Sequence, residues 1–118
     1  MTRDTQTHPP LTDRQCRPCS GETAPLAGDS LASLAAQLEA GWRLVDEHHL
    51  EREFEFDDFR QALDFTTRIG ELAESEGHHP DLELSYGRVV LKLWTHKIGG
   101  LSENDFILAA KIDRLPRP

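Results

Sequence analysis

The string Glu74-Ser75-Glu76-Gly77-His78-His79-Pro80 sets a carboxylate four residues before the first of two adjacent histidines. On a helix, positions four apart share one face, so Glu74 is expected to orient the His78 imidazole. Pro80 disfavours helical geometry at His79, so the two rings should diverge and meet different parts of one ligand. A third histidine, His96, falls at the expected end of a strand, and Asp105 falls at the start of the last helix. Imidazole, with a reference pKa of about 6.5, suits proton transfer near neutrality. Three histidines backed by two carboxylates therefore point to general acid-base chemistry on a small molecule. A metal site is the rival use of the same residue types. Side chains of adjacent extended residues point apart, so one ion is poorly served by His78 and His79 together. Each residue has a plain explanation as well: a histidine in a last helical turn suits the helix dipole, and Asp105 closes a capping box. It is the combination that argues for chemistry.

A second motif, Cys16-Arg17-Pro18-Cys19, has the spacing of half a zinc site, but no second pair follows and His8 is the nearest further ligand. A redox C-x-x-C belongs between a strand and a helix, whereas this one lies among Thr, Pro and Gly. Two thiols on a mobile N-terminal arm is the expected reading.

These residues need a scaffold, which periodicity outlines. Residues 1–28 hold four of the seven prolines and no apolar period, so they read as an irregular leader. A chain beginning at Asp29 should then fold and keep its activity. Leu31, Leu34, Ala35 and Leu38 give a first helix with Gly41 beyond its end. Leu50, Phe54 and Phe56 alternate with Glu51, Glu53 and Glu55, which marks a strand with one wet face in a hairpin over 42–56. His48 and His49 fall in its turn as a solvated pair whose replacement should leave activity near wild type. Asp57 or Asp58 caps a long helix ending near Gly77, and two strands, 82–86 and 88–96, turn at Gly87. Val89, Leu91 and Leu93 fall on the core side of the second. Leu101-Ser102-Glu103-Asn104-Asp105-Phe106 opens a last helix with a capping box and a Leu101–Phe106 staple. The order α-β-β-α-β-β-α with hairpin-sized links predicts an α+β fold, one four-stranded antiparallel sheet with three helices on one face, over 29–118.

Composition narrows the class. The chain has 118 residues, enough for one core, and a net charge of −8, which opposes the phosphate neutralisation behind most nucleic-acid affinity. Its apolar runs fall far short of the roughly 20 residues that span a bilayer. No apolar segment follows the N-terminal Arg3, so a cytoplasmic protein is expected.

The E-x3-H-H-P string, Tyr86, the Thr95-His96 pair before Gly99-Gly100 and the Leu101-Ser102-x-x-Asp105 helix start occur in an order and spacing that resembles pterin-4a-carbinolamine dehydratase, from about Leu31 to Ile112. Gly41-Trp42 and Asp57-Asp58-Phe59 are similar too. The resemblance implies dehydration of 4a-hydroxytetrahydrobiopterin to quinonoid dihydrobiopterin, the step that recycles the cofactor of aromatic amino acid hydroxylases, without metal or cofactor. Carried over by position, it implies His78, His79 and His96 as the catalytic centre, Glu74 and Asp105 as supporting carboxylates, and His79, Pro80, Leu82 and Thr95 against the pterin. His78, at a helix end beside Glu74, is fitted to donate a proton; His96 shares the proton transfer and His79 holds the ring. Leu82 departs from relatives with an aromatic residue there, which removes a stacking wall for a flat ring. The resemblance further implies a homodimer or homotetramer, with a hydroxylase as a possible companion. Two alternatives stay open: a partner protein stabilising dimers of a transcription regulator, and another pterin such as a molybdenum-cofactor intermediate.

Overall fold

The structure, a computed structural model, describes residues 9–18 and 21–118. Helix α1 spans Gly28–Ala35, strands β1 and β2 span Arg43–Val45 and His49–Glu55, and helix α2 spans Phe59–Glu76. Strands β3 and β4, Asp81–Ser85 and Arg88–Leu93, precede helix α3, Glu103–Asp113. The strands form one antiparallel sheet in the order β1-β2-β4-β3 with the helices on one face, the expected α+β architecture. Among the described residues, no helix is long and apolar enough to cross a membrane.

The alternation in β2 sets the register. Leu50 pairs with Leu93 and Phe54 with Val89, and all four are buried beneath the helices. Arg52 shares that parity, and its charge is neutralised by the Asp113 carboxylate of α3 at 2.7 Å while its guanidinium lies 4.5 Å over the Phe54 ring. The β1–β2 turn places Asp46 and Glu47 both at φ 54°, the type I′ geometry whose twist matches a tight hairpin. Asp58 accepts from the Gln61 N–H at 2.9 Å and caps α2, which buries Ala62, Phe65, Ile69 and Ala73. Phe59, at its first position, stays exposed, and Phe65 takes the core place. Helix α3 buries nearly every side chain from Asn104 to Ile112, as a helix covered on several sides must. Its capping box is formed, and Leu101 and Phe106 are both fully buried.

Three expectations need correction. The first helix ends at Ala35, not beside Gly41; the chain turns away through Gln37 and Leu38, and Glu39 and Trp42 instead meet Asp113. Gly41 makes room for a neighbour: a Cβ there would lie 2.5 Å from Arg52 Nε, and the guanidinium would have to shift. Strand β4 ends at Leu93 rather than His96, because Thr95 pairs back to Gly100 and His96–Ile98 form a 3-10 turn closed by Gly99 at φ 66°. The leader is largely irregular, yet its described residues are not detached. Leu11, in a 3-10 turn over Leu11–Asp13 packed on α3, is only 3% exposed and belongs to the core. One apolar residue in a stretch without period is enough to anchor it, and periodicity cannot reveal that.

Candidate active site

The end of α2 aims the first histidine. Gly77 adopts φ 68°, its N–H donates to the Glu74 carbonyl, and the His78 N–H donates to the Ala73 carbonyl, both at 3.2 Å. This pair of bonds is a Schellman closure, which fixes the backbone of the residue just beyond the helix. The His78 ring turns inward, with its side chain 12% exposed, and its Nε2 lies 2.6 Å from Asp105 Oδ1. Asp105 is fully buried, and its second oxygen accepts from the Thr95 hydroxyl at 2.8 Å and the Ser102 N–H at 3.0 Å. Thr95 Oγ1 and Ser102 Oγ lie 2.8 Å apart, so the buried carboxylate is enclosed by donors. The capping residue of α3 is therefore also the partner of His78.

Glu74 does not orient His78, as helical spacing predicts. It pairs with His79 at 2.8 Å, with the two side chains 80% and 61% exposed. The reason is the left-handed Gly77, which swings His78 off the helical path so that Glu74 meets the next ring. The divergence of the two rings is as expected from Pro80. His96 stands across the cleft, 56% exposed, with Nε2 3.8 Å from Asp81 Oδ2.

His78, His79, Thr95 and His96 line one cleft of about 390 Å³. Pro80 and Leu82 lie outside its lining. Leu82 pairs with Leu91 and packs on the core. Thr95 faces the cleft with its hydroxyl already engaged by Asp105. The aromatic wall is Trp94, whose ring lies 4.0 Å from that of His96 and 4.4 Å from that of His48. His48 is thus not a freely solvated turn residue; its Nδ1 also lies 3.0 Å from that of His49. The signal for Trp94 was its place two residues before His96, just past the end of β4.

The remaining wall comes from Cys16, Arg17 and Pro18. The Cys16 N–H donates to Glu76 at 3.0 Å, and the Arg17 N–H donates to the Asn104 side chain at 2.9 Å. Burial works to raise the Glu76 carboxyl, but the Cys16 N–H and Lys111 together hold it below its ordinary value. Cys19 and His8 lie outside the described residues, so the C-x-x-C as a pair is not placed. Burial, then the Glu76 charge and hydrogen bond, push the Cys16 thiol up to about 12. Only the thiolate is nucleophilic, so in a Cys19→Ser protein iodoacetamide at pH 8 should label Cys16 on the order of 1,000-fold more slowly than in the urea-unfolded chain, read by intact mass. Equal rates would show that the thiol is neither covered nor shifted.

A buried carboxylate thus lies behind one imidazole, and two more imidazoles line the same small cleft of this α+β protein. The comparisons with known proteins name the class. A sequence model of the pterin 4 alpha carbinolamine dehydratase family matches residues 24–115, and the chain belongs to that family. A relative from Rubrobacter xylanophilus named for the same dehydratase is 54% identical over 105 residues, covering 89% of this chain and 97% of the relative. Another from Alkaliphilus metalliredigens is 52% identical, covering 88% and 94%. A crystal structure described as a transcriptional coactivator/pterin dehydratase from Brucella melitensis superposes with a TM-score of 0.70 at 32% identity, covering 75% of this chain and 95% of that one.

Proposed function

We propose that this protein dehydrates 4a-hydroxytetrahydrobiopterin to quinonoid dihydrobiopterin by histidine acid-base catalysis. The observation that supports this reading best is the 2.6 Å pairing of His78 with the buried Asp105 at the wall of a cleft that also holds His79 and His96. With its Nε2–H donated to Asp105, the His78 ring keeps Nδ1 as the site of proton exchange. His78 acts as the base that removes the N5 proton, and His96 delivers a proton to the departing 4a-hydroxyl. The C4a–O bond breaks, an N5=C4a double bond forms and water leaves. One proton is taken and one given, with no change of oxidation state. This reverses the donor role expected of His78, because Glu74, one of the two supports for that role, faces His79. The exposed His79–Glu74 pair holds the pterin at the rim.

A cleft of about 390 Å³ falls within the range of roughly 300–1,000 Å³ usual for small-molecule sites. Recycling the cofactor of an aromatic amino acid hydroxylase in the cytoplasm, as a homodimer or homotetramer, is the setting this reading implies. The test is turnover of a synthetic 4a-hydroxytetrahydropterin by purified protein in the presence of a chelator, followed by ultraviolet absorbance. Dehydration above the spontaneous rate is expected without added metal. Turnover abolished by chelator and restored by zinc would overturn the mechanism, and no turnover with any pterin would favour a partner-protein role instead.

A further inference from the structure

Among the described residues, His96 has no buried partner of the kind that Asp105 gives His78. Its side chain is 56% exposed on a 3-10 turn, and an unrestrained ring there would sample several rotamers. Proton delivery to one hydroxyl needs one of them, since a misplacement of about 1 Å can cost on the order of 100-fold in rate. Two neighbours restrict it. The Trp94 ring sits 4.0 Å from the His96 ring at 60°, and Trp94 Nε1 donates to Asp81 Oδ2 at 3.3 Å. The same carboxylate oxygen is 3.8 Å from His96 Nε2. The indole also meets His48 at 4.4 Å, and its body packs against the core.

We propose that Asp81 and Trp94 are positioning residues for His96, with His48 bracing the indole from the β1–β2 turn. The proposal rests on the proton-transfer role of His96 given above. Its logic is geometric. An exposed ion pair at 3.8 Å adds little binding energy. A carboxylate that accepts from the indole N–H and lies 3.8 Å from the imidazole nonetheless favours one orientation of the two rings. Asp81 directly follows Pro80, so a single string supplies His78, His79 and the carboxylate that governs the third histidine.

The test is a set of double-mutant cycles read in kcat and KM. Trp94→Ala and Asp81→Asn should each lower kcat roughly 10-fold with a smaller change in KM, and Trp94→Phe should recover most of the loss. His48→Ala should show the same direction at a few-fold. In a His96→Ala background, Trp94→Ala and Asp81→Asn should lower kcat no further, whereas in a His78→Ala background their losses should persist. A residue that merely supports the fold would lower kcat in both backgrounds alike, and that result would overturn the proposal. So would a lowered kcat in His96→Ala with none in Trp94→Ala or Asp81→Asn. An unchanged kcat in His96→Ala alone would overturn the catalytic reading of His96 and the positioning role with it. Asp81 is exposed and the Asn replacement isosteric, so this arm stays decisive even if Trp94→Ala folds poorly.

Discussion

Asp105→Asn is expected to lower kcat by about 100- to 10,000-fold while the protein still folds, the range that a positioned acid-base group contributes. The carboxylate accepts from His78, Thr95 and the Ser102 N–H, and it is fully buried. An amide keeps the volume but turns one acceptor into a donor. If that NH2 faces His78 Nε2, the ring must carry its proton on Nδ1, and the nitrogen left for the substrate no longer accepts. If it faces Thr95 and Ser102 instead, it meets the Ser102 N–H donor to donor, and a buried unpaired donor costs about 1–3 kcal/mol. That penalty turns the NH2 toward His78, and the resulting loss of kcat separates Asp105 from a residue that only closes a capping box, whose loss would cost about 1 kcal/mol of stability and leave the chemistry alone. His78→Ala should match Asp105→Asn in kcat, and combining the two should cost little more than either alone, because the pair acts as one unit. The His78→Ala, His96→Ala double variant should lose far more than either single variant, since the base and the acid serve different steps of proton traffic. A folded Asp105→Asn protein with wild-type kcat would remove the dyad from the mechanism.

The sheet and its helices were legible because each buries one face with a simple period. Leu50 and Phe54 alternate with glutamates, Val89, Leu91 and Leu93 alternate with less buried residues, and Ala62, Ile69 and Ala73 follow a helical stripe. The types of the site residues were legible as well, and the cleft gathers His78, His79 and His96. The partnerships were not. Helical spacing joins Glu74 to His78, but one left-handed residue, Gly77, hands Glu74 to His79 and sends His78 to a carboxylate 27 positions away. No local period encodes that contact; it depends on how α3 docks beneath the end of α2. The same holds for His48, which reads as a turn residue until the β2–β4 pairing carries the turn over to Trp94.

The N-terminal segment is the place where composition and packing disagree most, and removing it should be costly. A chain starting at Asp29 is expected to melt well below the full protein, contrary to what its lack of apolar period suggests. Leu11 is 3% exposed within the core, and burying a leucine this fully implies a loss of about 2–5 kcal/mol on Leu11→Ala. At roughly 4 °C per kcal/mol for a domain near 100 residues, that single change should lower Tm by about 8–20 °C. Truncation removes more. It takes away the Leu26 N–H bond to the Leu101 carbonyl at 2.8 Å and the Pro25 ring that fills the space beside Gly100. Both contacts press on the loop that carries His96. It also takes away the Cys16–Pro18 wall, so whatever folds should bind substrate poorly. Asn104→Ala tests that second effect with Leu11 left in place: it releases Arg17 from the start of α3 and trims a residue that itself lines the cleft, and should raise KM several-fold with a smaller change in kcat. If the chain from Asp29 melts within a few degrees of the full protein and keeps its KM, Leu11 contributes nothing to the core and the cleft needs no N-terminal wall.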